Sequence, residues 1–132
     1  MNFKTQISTT REQSERLVEL GVKPETADMC FDDYGLLIAT TYSELKEHLC
    51  DVKLTPSWSL SRLLEMMPKY IDKREEVLLM IEPPLVIYYD TRYKGQQHFT
   101  TNPNIFYNCV AMIDWLIRNG HFNKGYLIED KL

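Results

Sequence analysis

Two consecutive prolines between two β-rich runs restrict the fold of this chain more than any other sequence feature. Residues 76–82 read EVLLMIE, Pro83–Pro84 follow, and residues 85–89 read LVIYY. Branched and aromatic residues favour strands, whereas proline cannot donate to a strand ladder. The pattern therefore predicts two antiparallel strands joined by a tight turn. A second turn with Gly95 at a positive φ then predicts a polar edge strand over residues 96–100.

The first two predicted strands are apolar on both faces. Side chains of a strand alternate between its faces, yet every position of Val77–Ile81 and of 85–89 is aliphatic, Met or Tyr. A sheet with one face in water should instead alternate between apolar and polar residues. We therefore expect helices to cover one face, and another helix, the tail or a second subunit to cover the other.

Capping signals predict three short helices in the first 50 residues. The capping box of residues 9–12 opens the first helix and Gly21 ends it. Residues 24–31 begin with a proline that is typical of a helix start, and the capping box of residues 41–44 opens the third helix. Between the second and third predicted helices, the apolar run at residues 36–38 is short enough to be a strand or a buried turn.

The segment LTPSWSLSRLLEMMP, residues 54–68, predicts the clearest helix in the chain. Thr55 is the expected cap, Pro56 occupies the first helical position, and Pro68 ends the helix. The apolar positions with the 3-4-3 spacing of a buried stripe are Leu60, Leu63, Leu64 and Met67.

The last predicted helix covers residues 103–119, with Asn102 as its cap and Gly120 as its stop. Its apolar residues fill a wide arc around Cys109 and Met112, so we expect it to be the core helix. The residues expected on the opposite, polar side are Asn104, Asn108, Asp114 and Arg118.

Together these elements predict an α+β fold in a single globular domain, residues 1–132. A two- or three-stranded antiparallel sheet (about residues 75–101) should pack with helices from the N-terminal half and with the C-terminal core helix. A chain of 132 residues has a common size for one domain and is long enough to bury a core without a disulfide or metal.

Charge and cysteine usage narrow the function classes. The net charge is −4, and residues 25–51 hold seven acids against one base, Lys46. This acidic stretch is either a solvated face or a contact for a basic partner.

Three cysteines, with no secretory signal and no apolar run that could cross a bilayer, predict free thiols and a cytoplasmic protein without membrane contact.

Motifs for catalysis and for cofactors are missing from the sequence. It contains no metal-ligand spacing, no phosphate-binding glycine loop and no nucleophile elbow, so we expect no metal, no cofactor and no small-molecule ligand. Residues 16–31 resemble a helix-turn-helix, but the second helix would present acids to the DNA phosphates, which disfavours nucleic-acid binding.

Both tryptophans fall on the polar side of their predicted helices. Trp58 lies opposite the apolar stripe of its segment, and Trp115 lies between Asn108 and Arg118 on the helical wheel. Each indole is either covered within the chain, Trp115 by the tail 121–132, or exposed as a partner surface, since Trp is enriched in binding hot spots.

Three blocks of the sequence resemble a known family. LVELGVKPETADMCFD (17–32), LTPSWSLSRLLEMMP (54–68) and residues 105–127, ending in WLIRNGHFNKGYL, are similar to a family of small uncharacterised proteins carried by prophages and mobile elements of gut anaerobes. The resemblance implies a genomic context and an intracellular setting, and it implies no activity, cofactor or catalytic residue.

The sequence therefore predicts a non-catalytic, phage- or mobile-element-type interaction or accessory protein. Its expected partner is another protein or a second copy of itself, through Trp58 or Trp115. Two alternatives stay open. One is a small enzyme whose site is assembled only in the fold, and the other is nucleic-acid binding through residues 16–31.

Overall fold

A computed structural model describes residues 6–48 and 53–129. This part of the chain forms four helices and two three-stranded antiparallel sheets, which confirms the α+β class. The helices are α1 (Arg11–Glu19), α2 (Tyr42–His48), α3 (Leu60–Met66) and α4 (Ile105–Arg118). The strands are β1 (Met29–Phe31), β2 (Leu37–Ile38), β3 (Thr55–Ser57), β4 (Val77–Glu82), β5 (Leu85–Asp90) and β6 (Gly95–Thr100).

The second sheet is the predicted hairpin with its edge strand, in the order β4-β5-β6. Pro83–Pro84, joined by a cis peptide bond, form the first turn, and β4 pairs with β5 over its whole length. The expectation for the second turn was wrong by one residue. Lys94 has the positive φ, of 50°, and Gly95 already begins β6.

Helix α4 packs across one face of this sheet and is buried on most of its circumference. It contacts β5 and β6 on one side and α1 and α3 on the other. Its residues Cys109 and Met112 are fully buried in one cluster with Leu63 of α3 and with Val86 and Tyr88 of β5. The two helical stripes thus meet in a common core, as their spacing predicts.

The first sheet, in the order β2-β1-β3, was not predicted. Residues 24–31 do not form a helix, because Pro24–Thr26 is a single 3-10 turn and Met29–Phe31 pairs with β3. The strand at 37–38 matches one of the two expectations for that run. Since the second helix is missing, residues 16–31 have no helix-turn-helix geometry, and that interpretation of the segment was wrong.

The helix predicted from Pro56 begins four residues later. Thr55–Ser57 is the edge strand β3, a position that tolerates proline, and Ser59 is the cap of α3. The Ser59 hydroxyl accepts from the Arg62 N–H at 3.2 Å, while Asp28 accepts from the Ser59 N–H at 2.8 Å. This long-range contact with Asp28, 31 residues away, is invisible to a local pattern.

Two other caps are displaced from their predicted positions. Thr10 and Gln13 form the capping box of α1, one residue after the expected pair, and Asn104 rather than Asn102 caps α4. The predicted stop at Gly21 is confirmed, with a φ of 96°. There the Val22 N–H donates to the Leu17 carbonyl at 3.0 Å, as in a Schellman motif.

The tail folds back onto the end of α1. The Lys23 N–H donates to the Tyr126 carbonyl and the Ile128 N–H donates to the Gly21 carbonyl, both at 2.8 Å. Phe122 and Leu127 are buried in the core cluster as a result. Within the described ranges, no helix has the length and apolar character that a membrane span requires.

Candidate interaction surface

Trp58 is fully buried, which contradicts its proposed place on a partner surface. Its exposed fraction is 0%, and its indole N–H donates to the Thr26 hydroxyl at 2.9 Å. Its backbone N–H and carbonyl both bond Thr9, at 3.0 and 2.9 Å. Trp58 therefore connects the segment before α1 and the 3-10 turn to the start of α3. Of the two alternatives for this residue, coverage within the chain is the correct one.

Trp115 is half-buried between α4 and the sheet. Its ring stacks on that of His98 in β6, with centroids 4.5 Å apart and planes 5° apart. Tyr88 and His121 lie 6.2 and 5.7 Å from the same indole. The sheet therefore covers Trp115 more than the tail does. Trp115 and Asn108 lie at the edge of the predicted polar side that meets the sheet, and Asn108 is fully buried. Asn104 and Arg118, on the rest of that side, are exposed.

Burial sets the ionisation of this aromatic group. It lowers the pKa of His98 below the usual 6.5, because a charged imidazolium loses hydration between the two layers. It also raises the pKa of Tyr88, whose hydroxyl donates to the Pro68 carbonyl at 2.6 Å. The imidazole of His98 is therefore neutral at pH 7, and its stacking on Trp115 adds an apolar surface beside β6.

The outer face of the second sheet, opposite α4, carries a row of apolar side chains. Met80, Ile87 and Phe99 are register partners across the three strands. Met80 and Phe99 are 42% and 48% exposed. Among the described elements, α4 is the one with extensive contacts to this sheet, and it packs on the other face. The expectation that one face is covered by helices is therefore confirmed.

Strand β6 is the open edge of this sheet. Its sequence, GQQHFT, contains neither charge-bearing Asp, Glu, Lys or Arg nor proline. In the described part of the chain, no backbone hydrogen bond links β6 to a segment other than β5. Native edges are usually blunted by charges or proline, so an uncharged edge is a template for another strand.

Sequence reasoning placed this edge strand but did not single it out as a site. The sequence does contain a signal for an unprotected edge, because residues 95–100 lack charged side chains directly after the charged residues 90–94. What the sequence did not provide is the position of Trp115 behind the edge. The face of α4 that meets the sheet is decided by packing.

A groove of about 540 Å³ lies between α1 and α4. Its charged residues include Arg16 and Asp114, which form an ion pair at 3.1 Å. Asp114 also accepts two hydrogen bonds from Arg118, at 2.7 and 2.9 Å. Asp114 therefore serves as the ion-pair partner that joins α1 to α4.

The described thiols are buried. Burial raises the pKa of Cys109 to about 12 and, together with the nearby Asp32, raises that of Cys30. Both thiols therefore stay protonated at pH 7, whereas a nucleophilic cysteine requires the thiolate. Cys50 lies outside the described residues, and among those described no group of three or more His, Cys, Asp or Glu residues could hold a metal ion.

Two acids of the acidic stretch have structural roles. Asp32 accepts from the N–H groups of Tyr34 and Leu36, both at 2.9 Å, and so closes the β1–β2 turn. Asp28 holds the cap of α3 through Ser59. These contacts explain two of the acids without a basic partner.

Comparisons of the chain with protein-family models, with curated proteins and with solved structures give no match. The resemblance of the three sequence blocks to prophage proteins therefore stays a prediction. The function proposed below is therefore argued from the geometry and charge of the residues that the structure describes.

Proposed function

We propose that this chain is a non-catalytic interaction protein that binds an extended segment of a protein at the edge strand β6. On the resemblance of its three sequence blocks, we further propose that it is an accessory protein of a mobile element and acts in the cytoplasm. The observation that supports the binding function is the uncharged edge of β6, with Phe99 exposed on the outer face and the His98–Trp115 stack on the inner face.

Strand addition suits this edge because the unpaired backbone groups of β6 supply hydrogen bonds while side chains on both faces supply contacts. On the outer face, Phe99 is exposed. On the inner face, His98 and Trp115 form a half-buried aromatic stack. Alternate residues of an added strand would therefore contact Phe99 on one side and the His98–Trp115 stack on the other.

Charge favours a protein over a nucleic acid as the occupant. The net charge is −4, and β6 brings no Lys or Arg to attract phosphates. A neutral, hydrogen-bonding edge beside apolar side chains has the chemistry of an extended polypeptide.

The test is capture from a lysate of the encoding cell followed by amide hydrogen exchange on the captured complex. Immobilised wild-type chain is compared with Phe99→Lys, which places a charge on the edge. The matched control is Tyr34→Lys, because Tyr34 is 95% exposed in the loop between β1 and β2.

We expect the wild-type chain and the control to capture the same protein and Phe99→Lys to lose it. In the complex, the amides of residues 95–100 should gain protection. Equal capture by all three chains, or protection confined to the α1–α4 groove, would refute binding at β6.

A further inference from the structure

We propose that the strand accepted by β6 is β6 of a second copy, so that two chains form one six-stranded sheet. This inference rests on the proposed function, since it names the occupant of the same edge. The two strands run antiparallel about a two-fold axis that passes beside Phe99. Closed symmetric dimers with the same patch on both subunits are the commonest oligomers.

The bulge in β6 determines the register of this pairing. Tyr88 pairs with His98 and Tyr89 with Gln96, which leaves Gln97 as the extra residue. The regular part of the edge is therefore His98–Thr100, and its centre is Phe99. Centring the axis there pairs Phe99 with Phe99 of the second copy and His98 with Thr100 of the second copy.

This register places favourable groups opposite each other. A cross-strand pair of aromatic side chains on one face stabilises an antiparallel ladder, and Phe99 has the exposed surface to form it. Residues 95–100 carry no formal charge at pH 7. The antiparallel direction also keeps Lys94, at the start of β6, away from Lys94 of the second copy, since each lies beyond the Thr100 end of its partner strand.

The size of the outer face favours an occupant that pairs with the edge of β6 over one that packs on the face. Three strands of six residues cover about 14 by 20 Å, or roughly 300 Å², at the usual strand spacing and rise. A standard interface buries about 800 Å² on each partner. The outer face of one copy is therefore too small for a standard interface, whereas pairing at the edge adds backbone hydrogen bonds and covers part of Phe99.

The first experiment measures molar mass by light scattering during size exclusion, over a concentration series from about 10 to 300 µM, a range suited to an interface below standard size. We expect the wild-type chain and Tyr34→Lys to shift from monomer to dimer as concentration rises, and Phe99→Lys to stay monomeric because two lysines would meet at the axis. Circular dichroism checks that Phe99→Lys is folded, as the exposure of Phe99 predicts.

A second experiment tests the register without depending on dimer strength. Phe99→Cys, in a background with Cys50→Ser, places two thiols directly opposite each other, within the distance that a disulfide spans. Under mild oxidation we expect a covalent dimer from Phe99→Cys and at least tenfold less from Tyr34→Cys in the same background.

The outcomes separate this inference from the proposed function. A wild-type chain that stays monomeric at every concentration, or a dimer that Phe99→Lys leaves intact, refutes self-pairing. If Phe99→Lys nevertheless loses a different captured protein, the proposed function stands. If it loses neither dimer nor captured protein, both proposals are wrong.

Discussion

At the scale of single residues, the two tryptophans show that a helical wheel assigns a face only when the helix is assigned correctly. Trp58 precedes α3, and its side chain points into the core where Thr26 accepts its indole N–H. Trp115 does lie in α4, but at the edge of the predicted polar side, where the helix packs on β5 and β6. The role of an indole thus depends on what the rest of the chain brings next to it.

Replacing Trp58 with Ala should cost about 3–5 kcal/mol of the free energy of unfolding, because it opens a cavity in the core. The change also leaves the Thr26 hydroxyl without its donor. Urea denaturation of the purified variants measures the loss. The matched control is Trp115→Ala, which should cost less because Trp115 is half-buried; equal losses, or a loss below about 1 kcal/mol for Trp58→Ala, would contradict this assignment.

At the scale of elements, buried polar side chains decide how α4 meets the hairpin. Asn108 donates to the carbonyls of Pro84 and Asn102, both at 2.7 Å, and accepts from the Asn102 N–H at 2.9 Å. The side chain thereby joins α4 to the Pro83–Pro84 turn and to the segment that enters the helix. The helical wheel places Asn108 on the polar side of α4, yet its side-chain amide makes all its hydrogen bonds within the protein.

Asn108→Leu should destabilise the protein by about 2–4 kcal/mol, since it leaves three partly buried backbone groups of Pro84 and Asn102 without this partner. Asn119→Leu is the control, because Asn119 is exposed at the C-terminal end of the same helix. That control should change the free energy of unfolding by less than about 0.5 kcal/mol. Thermal or urea unfolding that ranks the two variants in the opposite order would show that Asn108 is not a structural anchor.

At the scale of the whole molecule, the packing of α4 on the sheet creates the half-buried site of His98. Burial lowers the pKa of His98 in the folded protein below 6.5, whereas the unfolded chain keeps the usual value. As the pH falls below about 6.5, the unfolded state therefore takes up a proton before the folded state does. The free energy of unfolding falls through this window until the pH passes the lower, folded pKa.

His98→Gln should reduce this pH dependence. The wild-type chain is expected to lose more stability between about pH 7.5 and pH 5.5 than His98→Gln, measured as the shift of the urea midpoint. The ring of Trp115 stacks on His98, Tyr88 is the register partner of His98 in β5, and His121 lies against the same indole. His121→Gln is the matched control, and an equal shift in wild type and His98→Gln would assign the pH dependence to other groups.

The sequence alone determined the parts of this protein that depend on neighbours in the chain. The Pro83–Pro84 hairpin, the third strand and the C-terminal core helix follow from local turn residues and apolar spacing. The stop at Gly21 follows from the conformational freedom of glycine.

Only the tertiary structure decided the first sheet, the burial of Trp58 and the open edge at β6. Strand β1 forms because β3, about 25 residues later, supplies its hydrogen bonds, and Trp58 is buried because Thr9 and Thr26 meet around it. The edge of β6 is open because α4 covers the face of the sheet and leaves the side of its last strand without a neighbour among the described residues. These features depend on contacts between distant residues, whose local sequences fit other structures equally well.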